Sequence, residues 1–207
     1  MPRRALCDTQ AMSAGPSPSR RPRAVRRDAV ENREKILRTA AELIARRGHN
    51  VPLTEIADAA GVGVGTFYRG FPDRSALLEE LQRRGYEVLL ATLTQIRESG
   101  LTGAVAIQAY LQRCLALADE LVVLPLRGAE PLTDAAAVGA RHQIGRAIDE
   151  FLVEGRADGS VHDDVTAMDV IVCGTLIAMP LPLGPDALTA ATRHIAMFVR
   201  GIRTDDS

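Results

Sequence analysis

The chain has 207 residues, 46% of them apolar, a mean hydropathy of +0.01 and a formal charge of −1; it is long enough for one substantial core or two small ones, and a folded soluble protein is expected. The charge is uneven: residues 1–50 hold 12 Arg/Lys and 5 Asp/Glu, net +7, while residues 51–207 hold 13 and 21, net −8, so an N-terminal part suited to a polyanion is expected. Cys7, Cys114 and Cys173 are odd in number and far apart, which excludes a disulfide framework or a cysteine metal site and favours a reducing compartment, the cytoplasm.

Residues 1–27 contain seven Arg, one acid (Asp8) and the cluster "SAGPSPSRRP", with no periodicity able to bury a face. They read as a disordered basic arm. Pro2, Pro16, Pro18 and Pro22 are incompatible with the amphipathic helix of a transit peptide. From Asp28 to Arg47, apolar Ile36, Leu37, Ala40, Ala41, Leu43 and Ile44 recur at helical spacing, and Gly48 follows a basic last turn. Thr54 stands as an N-cap before "EIADAA", a second short helix.

Next comes "AGVGVGTFYRGF", with glycines at 61, 63 and 65. A dinucleotide fingerprint needs an apolar strand leading into the glycines, and a Walker A loop needs a Lys after Gly65; neither is present. Gly61 instead follows a helix, where it suits the positive-φ position that ends one, and another short helix begins about three residues later. Helix, glycine turn, helix is the helix-turn-helix arrangement. Phe67 and Phe71, at i and i+4, are expected to face inward with Val62, leaving Val64, Thr66, Tyr68, Arg69 and Gly70 outside.

After Pro72, Asp73 is a candidate N-cap for a long helix to about Glu98. Further helices are expected at about 103–118, 119–127, 133–155, 164–179 and 186–203, with Asp163 and Asp164 complementing a helix start. No stretch alternates as a strand, so the chain is expected to be all-α. The uncharged run from Val170 to Pro185 falls short of the roughly 20 apolar residues that span a bilayer, and no membrane partner is expected.

The segment "LTEIADAAGVGVGTFYRGFPDRSALLEEL" resembles the DNA-binding signature of TetR-type (tetracycline-repressor-like) transcriptional regulators, through its I-A-x-x-A-G-V run, its G-T-F-Y-x-x-F run, and a basic residue ahead of a Leu pair. The likeness covers about residues 33–81; the later helices fit that family's C-terminal domain in number and length only. It implies a helix-turn-helix domain over 28–72 and a helical effector-binding and dimerisation domain over 73–207. Gly63 and Gly70 depart from the usual pattern of polar side chains, and each glycine is expected to weaken the recognition helix by roughly 1 kcal/mol.

Function and partners follow from the resemblance: a ligand-responsive repressor of transcription that binds a palindromic double-stranded operator as a homodimer. Thr54, Thr66, Tyr68 and Arg74 would hold phosphates, Arg69 would read guanine and Val64 a thymine methyl. Gly63 and Gly65 would let the helix backbone approach the duplex, and Arg26 and Arg27, with Arg23, would reach an adjacent minor groove. A small, mostly apolar effector would meet Tyr86, Tyr110, Cys114, Leu117, His142, Met168 and Cys173, with Leu121 and Met179 beside them. The last two helices would pair across a two-fold axis through Gly174, Ala178, Leu188, Ala191, Ile195, Phe198 and Ile202. The apolar stripe of the final helix also fits packing inside one subunit, and both arrangements stay open.

No metal or cofactor is expected. An enzyme is a poor alternative, because the four histidines are scattered and no HExxH or G-x-S-x-G occurs. An architectural DNA-binding protein without effector is the other alternative, set against an acidic, apolar-rich C-terminal part larger than the DNA module.

Overall fold

The computed structural model describes residues 21–48, 50–121, 124, 134–179 and 184–204, with residues 21–26 and 185 described through their backbone only. Nine α-helices fall within these residues: α1 (Arg21–Arg47), α2 (Leu53–Ala59), α3 (Val64–Gly70), α4 (Arg74–Glu98), α5 (Gly103–Ala116), α6 (Ala118–Leu121), α7 (Ala135–Ala157), α8 (Ala167–Ala178) and α9 (Ala187–Ile202). A 3-10 turn, Gly184–Asp186, leads into α9, and no strand occurs among the described residues. The protein is all-α. None of these helices is long and apolar enough to cross a membrane.

The expected boundaries need three corrections. Helix α1 begins at Arg21, so residues 21–27 belong to a helix rather than to an arm. Pro22 lies in the first turn, where its missing N–H is no loss, and Arg27 Nε donates to Glu31 one turn on at 2.9 Å. Residues 1–20, including Cys7, lie outside the described residues. Helix α2 begins at Leu53, with Pro52 at the cap position, so Thr54 is an exposed first-turn residue and not the N-cap. Helix α8 is capped by Thr166, whose side chain accepts from the Asp169 N–H while the Asp169 carboxylate accepts from the Thr166 N–H, a reciprocal capping box. That cap supersedes Asp163 and Asp164, which lie in the preceding turn. The short helix expected over 119–127 is seen as α6; residues 122–123 and 125–127 lie outside the described residues.

The α2–α3 turn follows from Gly61. At φ +66° it adopts the left-handed conformation, its N–H donates to the Asp58 carbonyl, and the Val62 N–H donates to Ala57. This double closure is the Schellman motif; it ends α2 and sends the chain directly into α3. At the start of α4 the Asp73 carboxylate accepts from the Ala76 N–H at 2.8 Å, the expected N-cap.

Two buried clusters share α4. The first joins Ile36, Leu37, Ala40 and Ile44 of α1 to Ile56, Ala57, Val62, Phe67, Phe71, Leu77 and Leu81. The second begins at Leu89 and continues through α5, α7, α8 and α9. Packing therefore divides between Leu81 and Leu89, inside α4, rather than at Pro72, and one continuous helix belongs to both units. In the second unit α5 meets α7 backbone to backbone: a methyl group on either Gly103 or Gly155 would stand 2.9 Å from the other's Cα.

Candidate nucleic-acid interface and adjoining cavity

Helix α3 presents two faces of unlike chemistry. Phe67 and Phe71 are buried almost completely, their ring centroids 6.0 Å apart, and anchor the helix to α1 and α2. On the other side Val64 is 44% exposed and Tyr68 42%, far more than the interior residues of so small a unit. The Tyr68 ring leans edge-on against Phe67 at 5.7 Å, which fixes the phenol's direction. Arg69 is exposed and folds back along its own helix, its Nε donating to the Gly65 carbonyl at 3.0 Å and its Nη2 to the Thr66 hydroxyl at 3.3 Å.

The three glycines of this face are not demanded by the fold. At Gly63, Gly65 and Gly70 a Cβ would meet nothing within 4 Å, and none has positive φ. Gly63 is the N-cap of α3, outside the helix proper, where glycine costs only a few tenths of a kcal/mol relative to serine. The expected weakening of about 1 kcal/mol therefore does not apply there.

Two expected contacts are placed differently. Arg74 is half-buried and donates through Nη2 to the Val51 carbonyl, so it braces the segment before α2. Arg27 is exposed and Arg26 lies on α1, so neither belongs to a free arm; the Arg26 side chain is outside the described residues. A residue that the sequence reading passed over joins the parts. Arg33 of α1 donates to the Gly70 carbonyl at the end of α3 at 3.1 Å, stacks 4.3 Å from the Phe71 ring centroid, and pairs with Glu80 of α4 at 3.4 Å. One turn away Arg84 of α4 pairs with Glu34 of α1 at 2.6 Å. Arg83 and Arg33 hold the Glu80 carboxyl below the usual carboxylate range, the hydrogen bond from Arg83 being the larger cause.

Beyond these ion pairs α4 enters the wall of a cavity of about 320 Å³. Tyr86 and Leu89 of α4, Tyr110 and Cys114 of α5, Arg141 of α7 and Met168 of α8 line it, with Leu121. Tyr86, Tyr110, Cys114 and Met168 are therefore brought together around one cavity. Burial pushes the Cys114 thiol up to about 12 and the Tyr110 phenol well above its usual range, so both are neutral walls.

The remaining expected lining residues fall elsewhere. Leu117 caps the end of α5 and packs on the core, Cys173 is buried without lining the cavity, and His142 is exposed. Arg141 takes the place given to His142, because positions 141, 144 and 148 share one helical face with buried Ile144 and Ile148. That spacing was readable.

The dimer expectation also changes residue by residue. Gly174 and Ala178 face inward: a Cβ on Gly174 would stand 3.4 Å from the Cys114 sulfur, and Ala178 is buried. Ile195 and Ile202 are buried and Phe198 packs against the same core, because the stripe of α9 is used inside the subunit against α5. Leu188, 66% exposed, and Ala191 remain at the surface, where with Leu176, Met179 and His194 they line an open apolar groove between α8 and α9. Val172 and Met197 are exposed on the same two helices.

Comparisons agree with this geometry. Residues 36–81 match the family described as "Bacterial regulatory proteins, tetR family". An HTH-type transcriptional regulator of Staphylococcus aureus (strain USA300) is 35% identical over 75 residues, 36% of this chain and 40% of that protein. The chain thus matches less than half the length of such curated relatives. Over the whole fold the likeness is broader. The crystal structure of a TetR transcription regulatory protein from Mycobacterium vanbaalenii is 26% identical with a TM-score of 0.59, covering 87% of this chain and 99% of that one. A TetR transcriptional regulator from Streptomyces coelicolor is 27% identical with a TM-score of 0.59, covering 84% and 99%. The tetR-family signature thus lies on α1 to α4 of this chain, and its helical fold is similar to that of TetR regulators of known structure over most of its length.

Proposed function

We propose that this protein is a DNA-binding transcriptional regulator, a ligand-responsive repressor that grips a palindromic operator as a homodimer. The observation that carries the reading is the divided α3: two phenylalanines fully buried beneath it, and Val64, Tyr68 and Arg69 exposed on its outer side. A seven-residue helix buries little by itself, so aromatic anchors on one face and a phenol, a hydroxyl and a guanidinium on the other suit insertion into a major groove. Tyr68 and Thr66 hold phosphates in this arrangement, with Thr54 and the start of α2 alongside, while Arg69 and Val64 face base edges. Gly63 and Gly65 leave room for close approach of a duplex. Arg26 and Arg27 act from the first turns of α1, and Arg74 acts chiefly as a brace.

The homodimer forms over the exposed apolar residues Val172, Leu176, Met179 and Leu188 of α8, its C-terminal end and α9, with Ala191 in the groove between them, because a surface of this kind calls for a partner. A symmetric pair sets the two recognition helices about 34–36 Å apart, one turn of the duplex. The effector acts through α4: a ligand against Tyr86 and Leu89 biases the same helix that Glu80 and Arg84 tie to the DNA unit. It must bind the DNA-incompetent arrangement more tightly than the competent one.

The test is a nuclease footprint on DNA upstream of the protein's own coding sequence, at two salt concentrations. A protected, two-fold symmetric site that disappears with Tyr68→Ala supports the reading. Absence of protection at low salt, together with failure to enrich any sequence from randomised DNA, overturns it.

A further inference from the structure

We infer that the ligand of the 320 Å³ cavity is an elongated apolar molecule ending in a single anionic acceptor group, a carboxylate in the simplest case, held by Arg141 and Tyr86. The inference rests on the proposal that this cavity is the effector site, and it is drawn from the polar groups of the wall taken one at a time. The Thr175 hydroxyl donates to the Ile171 carbonyl at 2.8 Å and is used inside α8. Tyr110 and Cys114, one turn apart on α5, face each other and interact, and both are buried. The Tyr86 oxygen accepts from the Gln82 side-chain amide at 3.5 Å, which leaves its proton available. The Arg141 guanidinium makes no hydrogen bond or ion pair with any described residue.

The polar hydrogens left over are therefore those of a phenol on α4 and a guanidinium on α7. Among the described residues, Asp, Glu, Asn, Gln and His are absent from the lining, so none of these supplies a negative charge or a strong neutral acceptor to the space. The rest of the wall is Leu89, Leu121, Leu124, Ile144, Ile171, Val172 and their neighbours. A cationic or donor-rich ligand would find no partner for its hydrogens and would lose its hydration without replacement. An anion gains a charge-assisted bond from guanidinium, strengthened where aliphatic walls exclude water. Arg141 is also exposed, so it stands at the mouth and fixes polarity: head outward at α7, chain inward toward Tyr110 and Cys114.

Isothermal titration of the full-length protein at pH 7.5 with decanoate, decan-1-ol and decylamine separates the head groups while the chain is held constant. Decanoate is expected to bind at least tenfold more tightly than the other two. Arg141→Gln is expected to bring decanoate to the level of decanol without lowering the melting temperature, since Arg141 is exposed and makes no contact that the fold uses. Tyr86→Phe is expected to lower decanoate affinity severalfold. Equal affinities for the three probes, or a decanoate preference that survives Arg141→Gln, would overturn the head-group assignment while leaving an occupied cavity. Binding of none of them would overturn the assignment and the effector role of the cavity together.

Discussion

The guanidinium of Arg33 lies 4.3 Å from the centroid of the Phe71 ring and donates to the Gly70 carbonyl at 3.1 Å, so one side chain of α1 closes the C-terminal end of α3. The same group reaches Glu80 of α4. Substitution by Met keeps the stem and removes all three interactions. Because Arg33 is 41% exposed, its pair with Glu80 counts for less than about 1 kcal/mol, and the stacking and the carbonyl bond carry most of the effect. A loss of about 1–2 kcal/mol is expected, or a melting temperature lower by about 3–6 °C. Operator affinity should fall alike on every sequence variant, because the residue sets the position of α3 and touches no base. Circular dichroism melts beside binding isotherms check both parts.

Tyr68 and Arg69 should divide the recognition energy differently. Arg69 spends its donors on its own helix, on Gly65 and Thr66, and must release them to reach a base edge. Arg69→Ala is expected to relax preference at one base pair by about 1–3 kcal/mol. Tyr68→Phe removes one phosphate hydrogen bond and should weaken all sites by a common factor. A panel of single-base operator variants, titrated with both proteins, separates the two patterns; equal losses across the panel for both would contradict the division.

Gly65 offers a sharper separation of folding from binding. It lies inside α3 with open space where a Cβ would point, so Gly65→Ala should stabilise the free protein by about 0.5–1 kcal/mol. On DNA the added methyl occupies the gap between helix and duplex, and affinity should drop severalfold. Thermal melts and operator binding moving in opposite directions is the expected result. A variant that is more stable and binds undiminished would show that the backbone at Gly65 does not approach the duplex.

Much of the N-terminal helical unit was legible because its signals are local. Gly61 and Asp73 depend on neighbours within four residues, which turn closure and helix capping express directly, and the i, i+4 spacing of Phe67 and Phe71 marks the inward face without naming its partners. The start of α2 was read two residues too late, since Thr54 is a better capping residue than Pro52 but the chain's path places Pro52 at the boundary. The use of the last two helices was legible only in part. The apolar stripe of α9 has one helical period whether it meets α5 or a second subunit, and only the tertiary arrangement shows that Ile195 and Ile202 are used internally. Arg33 was not legible at all. Its three partners lie 37, 38 and 47 positions away, and nothing in the pattern of α1 marks it among the neighbouring basic residues.

Backbone contact between Gly103 and Gly155 predicts two costly substitutions and one harmless one. Gly103 has φ +52°, and a Cβ there would stand 2.4 Å from the Ser160 hydroxyl oxygen and 2.9 Å from the Gly155 Cα. Left-handed strain and overpacking act together, so Gly103→Ala should cost about 3 kcal/mol or more. Gly155→Ala meets Val161 Cγ2 at 2.5 Å and the Gly103 Cα at 2.9 Å, a cost of about 1–3 kcal/mol. Gly139, also on α7, has open space, and its alanine variant should gain about 0.5–1 kcal/mol. Urea unfolding of the three variants should rank them in that order.

The Glu80 carboxylate gives the ties between α1 and α4 a pH signature whose sign can be worked out. Arg83 and Arg33 hold its folded-state pKa below the ordinary 4.5, so the folded protein binds this proton less readily than the unfolded chain does. The stabilisation is therefore complete above the unfolded value and is lost as the pH falls through the folded one. Glu80→Gln should lower stability at pH 7 by about 1 kcal/mol or less, since Arg83 and Arg33 are both substantially exposed and solvent screens the pairs. The difference from the unmodified protein should shrink below about pH 4.5 and vanish once the native carboxyl is itself protonated. Paired urea titrations at pH 7, 5, 4 and 3 measure the difference directly. A gap that stays constant across that range would mean that Glu80 contributes through its packing rather than through its charge.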